Sequence, residues 1–135
     1  MRRTASFERL LDFLNTDRDY IMDVEIDDVS CETDDYFCIT LYRVVQECLL
    51  NIKKHSQATK ILFHCKKTEQ QYEILIQDNG KGFTMEEAEN KANSHFGLAL
   101  IQEGVVLLNG TIQISSVIGQ ETTIDIKIPL DLHFS

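Results

Sequence analysis

The sequence predicts an α+β fold: a two-layer α/β sandwich whose mixed, mainly antiparallel sheet has about five strands, with about three helices on one face. Two observations carry this expectation. Thr111 to Ser116 and Thr122 to Ile128 alternate apolar and polar residues strictly, so the sheet has one buried and one wet face, and the helices must lie together on the buried one. Thr40 to Ser56 instead repeats Leu41, Val44, Val45, Cys48, Leu49 and Ile52 at spacings of three and four, the period of a helix with one apolar stripe. At 135 residues and 43% hydrophobic content the chain is long enough for one core, and a single domain over residues 1–135 is expected.

The other elements follow in chain order. Phe7 to Leu14 is a short apolar-rich helix, broken at Asn15-Thr16-Asp17, and Tyr20 to Ile26 reads as a strand. The acidic run Asp27 to Asp35 reads as a solvated loop. Beyond the long helix, Ile61 to Lys66 and Tyr72 to Asp78 are rich in strand formers and joined by the polar segment Lys67 to Gln71, the pattern of a hairpin. Asn79 to Ser94 is a Gly-, Asn- and Glu-rich connection whose length suits a lid or binding loop, with room for a helical turn near Glu86 to Lys91. A further helix spans Gly97 to Leu108, with Leu98, Ile101, Val105 and Leu108 on one stripe, and Asn109-Gly110 ends it as a left-handed cap. Pro129 is the single proline, and no repeat or linker interrupts the chain.

Charge and cysteines exclude several functions. Thirteen Lys and Arg against 22 Asp and Glu leave a formal charge of -9, which repels nucleic acid and anionic lipid, so a phosphate ligand must be held by local features. Cys31, Cys38, Cys48 and Cys65 form no CxxC pair and read as reduced thiols rather than a zinc site. No stretch approaches the ~20 apolar residues of a membrane span, so a soluble, cytoplasmic domain is expected, whose parent protein is free to carry an anchor.

Four clusters carry candidate chemistry. On the long helix, about 100° per residue sets Glu47, Asn51 and Lys54 on one stripe. A carboxylate and an amide oxygen one turn apart suit Mg²⁺, and a lysine beyond them suits phosphate, although a solvated helix face carries the same residues. In Asp78-Asn79-Gly80-Lys81-Gly82-Phe83, strand phase turns Asp78 to the same side as Tyr72, Ile74 and Ile76. A carboxylate on an apolar face needs a donor, and the amino group of a planar heterocycle is a suitable one; an Asn-Gly turn is the simpler alternative for the glycines. Phe96-Gly97-Leu98 opens a helix, where free N–H groups cradle phosphate or a cap stands. Thr122 is in phase with Ile124 and Ile126, so its hydroxyl faces inward.

In this order the clusters resemble the sensor histidine kinases. Leu41 through Ala58 resembles their N box, Asp78 to Phe83 their first glycine box, Phe96-Gly97-Leu98 through Ile112 the second glycine box and its helix (about 96–110), and Gly119 to Thr123 the last box. The Gln46-Glu47 start and Lys54-His55-Ser56 end of the N box resemble the subfamily whose partners are LuxR-type response regulators. The resemblance implies the Bergerat fold, with ATP and Mg²⁺ as cofactors. It implies that Asn51 coordinates Mg²⁺, that Glu47 places metal-bound water or accepts a proton, and that Lys54 and His55 contact phosphates. It further implies that Asp78 takes the adenine amino group, Thr122 completes the adenine contacts, Gly80, Gly82 and Phe83 shape the pocket, Gly97 and Leu98 belong to the phosphate end, and residues 84–96 form the ATP lid. His95 and Glu121 stand where the family usually has glycine, which removes backbone freedom beside the nucleotide.

The function implied is transfer of the γ-phosphoryl of Mg-ATP to a histidine on a separate dimerisation domain. None of His55, His64, His95 and His133 stands in a comparable helical context, so an isolated, monomeric catalytic domain acting in trans is expected. A serine kinase of the anti-sigma-factor type and a degenerate docking domain of the same fold are the rival readings.

Overall fold

The computed structural model describes residues 7–14, 20–27, 35–80, 98–118 and 121–129, with backbone alone at Phe7, Glu8, Phe13, Leu14, Asp35, His55 and Ser56. The elements are α1 (Phe7–Leu14), β1 (Ile21–Ile26), α2 (Asp35–Asn51) with a π-helical turn (Ile52–Ser56), β2 (Lys60–Lys67), β3 (Gln71–Asp78), α3 (Leu98–Leu107), β4 (Thr111–Ser116) and β5 (Thr122–Pro129). The strands make one sheet in the order β1-β2-β3-β5-β4. Only β1 and β2 are parallel; the other three pairings are antiparallel, giving the mixed sheet expected. A parallel pair needs a crossover, and α2 provides it.

The alternation read from the sequence is the alternation of burial. Ile61, Phe63 and Cys65 of β2, Tyr72, Ile74 and Ile76 of β3, and Ile124, Ile126 and Ile128 of β5 are buried, while their neighbours in sequence are not. Against this face α2 lays Phe37, Leu41, Val44, Val45, Cys48, Leu49 and Ile52, and α3 adds Leu98, Ile101 and Val105. Both α1 and α3 pack against α2, so the helices form one layer with α2 in its middle.

Both ends of the long helix differ from expectation, while the other described elements agree to within a residue at each end. The long helix begins at Asp35 rather than Thr40, because Phe37, only 1% exposed, adds another buried position one turn before Leu41. The end of the acidic run is therefore helix, while residues 28–34 lie outside the described residues. The predicted α-helix also changes to a π turn after Asn51, which closes at Gln57 in the left-handed region, φ 57°.

The end of α3 matches the cap expected. Asn109 has φ 60°, its N–H donates to Val106 O at 2.9 Å, and the Gly110 N–H donates to Val105 O at 2.8 Å. These are the two bonds of a Schellman cap, which satisfy carbonyls the helix would leave open. A Cβ on Gly110 would stand 2.7 Å from Lys127 O, so glycine lets the chain pass this close to β5.

Gly104 marks the closest approach of α2 and α3: a Cβ there would overlap Val44 Cγ2, a stiff side chain 2% exposed. Overpacking outweighs the gain in helix propensity, so Gly104→Ala is expected to cost about 1–2 kcal/mol in urea unfolding. In that background Val44→Ala should cost clearly less than in the parent; equal costs in both backgrounds would refute the contact.

Candidate functional site

At one end of the helix-facing side, the apolar rows give way to a polar one. Pairing sets Ile61 opposite Asp78, Asp78 opposite Thr122, and Thr122 opposite Ser116, in one row across β2, β3, β5 and β4. Asp78 is 6% exposed and Thr122 7%, and Ser116 Oγ lies 2.9 Å from Thr122 Oγ1. The next row inward is Phe63, Ile76, Ile124 and Ile114, so the oxygens border an apolar floor. Such a pairing of flat apolar surface with a few oriented polar atoms suits a planar heterocycle.

The Asp78 carboxylate accepts a hydrogen bond from the Gly80 N–H at 2.7 Å, its one hydrogen bond among the described residues. Burial pushes its carboxyl above the ordinary 3.8, the Gly80 N–H pulls it down, and the charge of Glu121 adds to the rise. An acceptor of this kind has capacity left for a donor brought by a ligand.

Asn79, read from the sequence as part of a glycine-rich cluster with no role of its own, anchors this strand end. Its Oδ1 accepts from the N–H groups of Thr59 and Lys60, both at 2.9 Å, and its Nδ2 donates to Thr59 Oγ1 at 3.0 Å. It therefore ties β3 to the entry of β2. The tie also locates the end of the α2 segment. Ser56 is three positions before Thr59, a reach of at most roughly 11 Å, so the π turn ends within that distance of Thr59, to which Asn79 is bonded. At the other end of β3, Phe37 and Tyr72 stack with ring centroids 5.9 Å apart. The start of α2 thus lies over Tyr72, and the π turn at its other end leads to the β2 entry that Asn79 ties to β3.

That end carries the N-box residues. Glu47 and Asn51 lie one α-helical turn apart and are half-buried. Lys54 is exposed and sits on the π turn, which takes more residues per turn, so the α-helical stripe that set it above Asn51 stops at Asn51. The turn also holds the backbone of His55. Leu98 opens α3 with its side chain in the core, which leaves its backbone N–H as the group able to meet phosphate. Gly82, Phe83, Gly97 and the segment 84–96 lie outside the described residues, as do residues 119–120 of the last box.

The donor set fits the cofactors that the sequence resemblance implies. An amide and a carboxylate oxygen are hard ligands of the kind Mg²⁺ takes, and Asp78 beside Thr122 offers acceptor and hydroxyl to a base edge. Burial, with Glu47 nearby, raises the Cys48 thiol to about 12, so this cysteine is a core residue and no nucleophile. Sequence reasoning also passed over Ser116; the signal was present, because the hairpin phase that turns Thr122 inward places Ser116 across from it.

Comparison with known proteins points the same way. Residues 38–132 match the family described as histidine kinase-, DNA gyrase B-, and HSP90-like ATPase. The chain is 44% identical over 96 residues to the signal transduction histidine-protein kinase/phosphatase DegS of Bacillus subtilis, covering 71% of this chain and 25% of DegS. It is 37% identical over 90 residues to the sensor histidine kinase LiaS of the same organism, covering 67% of this chain and 24% of LiaS. The chain thus spans about a quarter of the length of these curated relatives. The blue-light activated histidine kinase of Erythrobacter litoralis shares the fold, with a TM-score of 0.75 over 92% of this chain and 40% of that one, at 19% identity.

Because Asp78 is harder to ionise in the folded state, folding is most favoured by this group below 3.8, and stability falls as pH rises through its folded value. Asp78→Asn removes that loss. In urea unfolding the variant should gain on the parent as pH is raised from below 3.8 to 7; a difference that stays flat with pH would contradict the desolvation argument.

Proposed function

The chain belongs to the histidine kinase-, DNA gyrase B-, and HSP90-like ATPase family, and from that premise we propose that it is the catalytic domain of a sensor kinase, which binds Mg-ATP and gives the γ-phosphoryl group to a histidine on a separate dimerisation domain. One observation carries the reading: a carboxylate that strand phase buries at the end of an apolar face, with a threonine hydroxyl opposite it.

In this reading adenine lies on the apolar row and donates its amino group to Asp78, with Thr122 completing the contact and Gly80 letting the backbone approach the ring. Asn51 and Glu47 would hold Mg²⁺, Glu47 through water, and the ion would neutralise charge on the phosphates. Lys54 and His55 meet the phosphates from the π turn, and Leu98, with Gly97, offers backbone N–H groups at the start of α3. Phosphoryl transfer needs mainly positioning and charge neutralisation, which these groups supply without a covalent step on the protein. Gly82 and Phe83 would shape the pocket and residues 84–96 would close over it.

The acceptor histidine comes from the dimerisation domain of the same kinase, and a LuxR-type response regulator takes the phosphoryl group next. The N-box ending Lys54-His55-Ser56 and the identity with DegS support that partner class. Among the described residues no helix is long and apolar enough to cross a membrane; in this reading the domain works in the cytoplasm and is monomeric in isolation.

A non-hydrolysable ATP analogue with Mg²⁺, at ~100 times its dissociation constant, should stabilise the domain by about 2.7 kcal/mol in thermal unfolding. Asp78→Asn should weaken the analogue about 10-fold or more, the scale of a lost hydrogen bond to a charged group. An undiminished response would remove the adenine assignment. Asn51→Ala should diminish the part of the response that depends on Mg²⁺; unchanged metal dependence would contradict the role given to Asn51.

A further inference from the structure

The wet face of the sheet carries a cluster that the nucleotide site does not use. Asp23 and Glu25 alternate along β1 and so share a face, and the parallel register sets Glu25 directly opposite His64 of β2. That face is opposite the core, because His64 lies between the buried Phe63 and Cys65. One ligand atom from each of Asp23, Glu25 and His64 lies within 4.8 Å of the other two. His64 Nε2 is 3.1 Å from Asp23 Oδ1.

Charge gives a second, independent observation. Two carboxylates meet here in a chain of formal charge -9. Among the described residues no lysine or arginine pairs with either, and Glu25 has no hydrogen-bond or ion-pair partner. The imidazole side chain is 20% exposed and that of Asp23 is 64% exposed, so the ring is held on its strand while the carboxylate remains open to solvent. Two like charges this close repel each other, and a dication held between them and the imidazole would offset that repulsion.

We propose that Asp23, Glu25 and His64 form a binding site for a first-row divalent transition-metal cation, with Zn²⁺ as the probe, on the sheet face opposite the nucleotide. One imidazole nitrogen and two carboxylate oxygens form a mixed donor set suited to such ions, whereas Mg²⁺ and Ca²⁺ take oxygen ligands. Three protein ligands leave a coordination position for water or a fourth donor. The ion would fasten β1, the edge strand, to β2.

The test uses the whole chain, stripped with a chelator and free of nucleotide. Zn²⁺ titrated in competition with a chromogenic chelator should bind one ion per chain, undisplaced by excess Mg²⁺, and should raise the thermal unfolding temperature. His64→Ala and the isosteric Glu25→Gln, both on the wet face, should each weaken binding by at least ~10- to 100-fold, since loss of a direct ligand costs no less than loss of its support. Asp78→Asn should bind Zn²⁺ as the parent does, which separates this site from the nucleotide site. Substituted Co²⁺ should show no thiolate charge-transfer band. The proposal is overturned if the parent binds no Zn²⁺, if both variants bind as the parent does, or if the Co²⁺ spectrum reports a cysteine ligand.

Discussion

Burial of a single carboxylate sets the character of one end of the sheet. Asp78 cannot turn to water without turning Tyr72, Ile74 and Ile76 with it, because a strand's side chains alternate and those three are core. The hydrophobic gain of the β3 face therefore holds an acid where an acid is unfavourable, and the Gly80 N–H offsets only part of that. A carboxylate that is costly to bury alone becomes an interaction where a ligand brings a donor, so under the proposed function stability and binding are opposed at this residue.

The sheet alone does not make the site; α2 has to end at the right place. Three features position it: the Phe37–Tyr72 ring contact at its start, the fit of Gly104 against Val44 along its length, and the Asn79 bonds that fix the entry to β2 after the π turn. The π turn belongs to this arrangement. It shifts the side chains after Asn51 out of the α-helical phase while keeping Ile52 in the core, a local irregularity of the kind frequent at functional sites. Glu47 and Asn51 remain in phase with each other, and the residues beyond them follow a different spacing.

The two faces of the sheet separate two kinds of chemistry. On the helix side Asp78, Thr122 and Ser116 border apolar side chains, where a buried hydrogen bond discriminates. On the wet side Asp23, Glu25 and His64 meet in solvent, where exposed charge attracts ions but contributes little to folding. The same alternation that builds the core keeps these groups from interfering with each other.

Much of the fold was legible because it is written in local periods: the alternation in β3, β4 and β5, the three-and-four spacing of α2, and the Asn109-Gly110 cap each depend on residues near one another in the chain. The inward phase of Asp78 and of Thr122 was legible for the same reason. The first turn of α2 was not, since Asp35, Tyr36 and Phe37 follow an acidic run and the burial of Phe37 against Tyr72 is a contact between distant segments. The Asn79 anchor, the meeting of Ser116 with Thr122 and the approach of Glu25 to His64 join residues far apart in sequence or on facing strands. By itself, then, the sequence determined which side chains share a face; tertiary structure decided which faces and strand ends meet, because register and crossover depend on pairings between distant segments that no local period encodes.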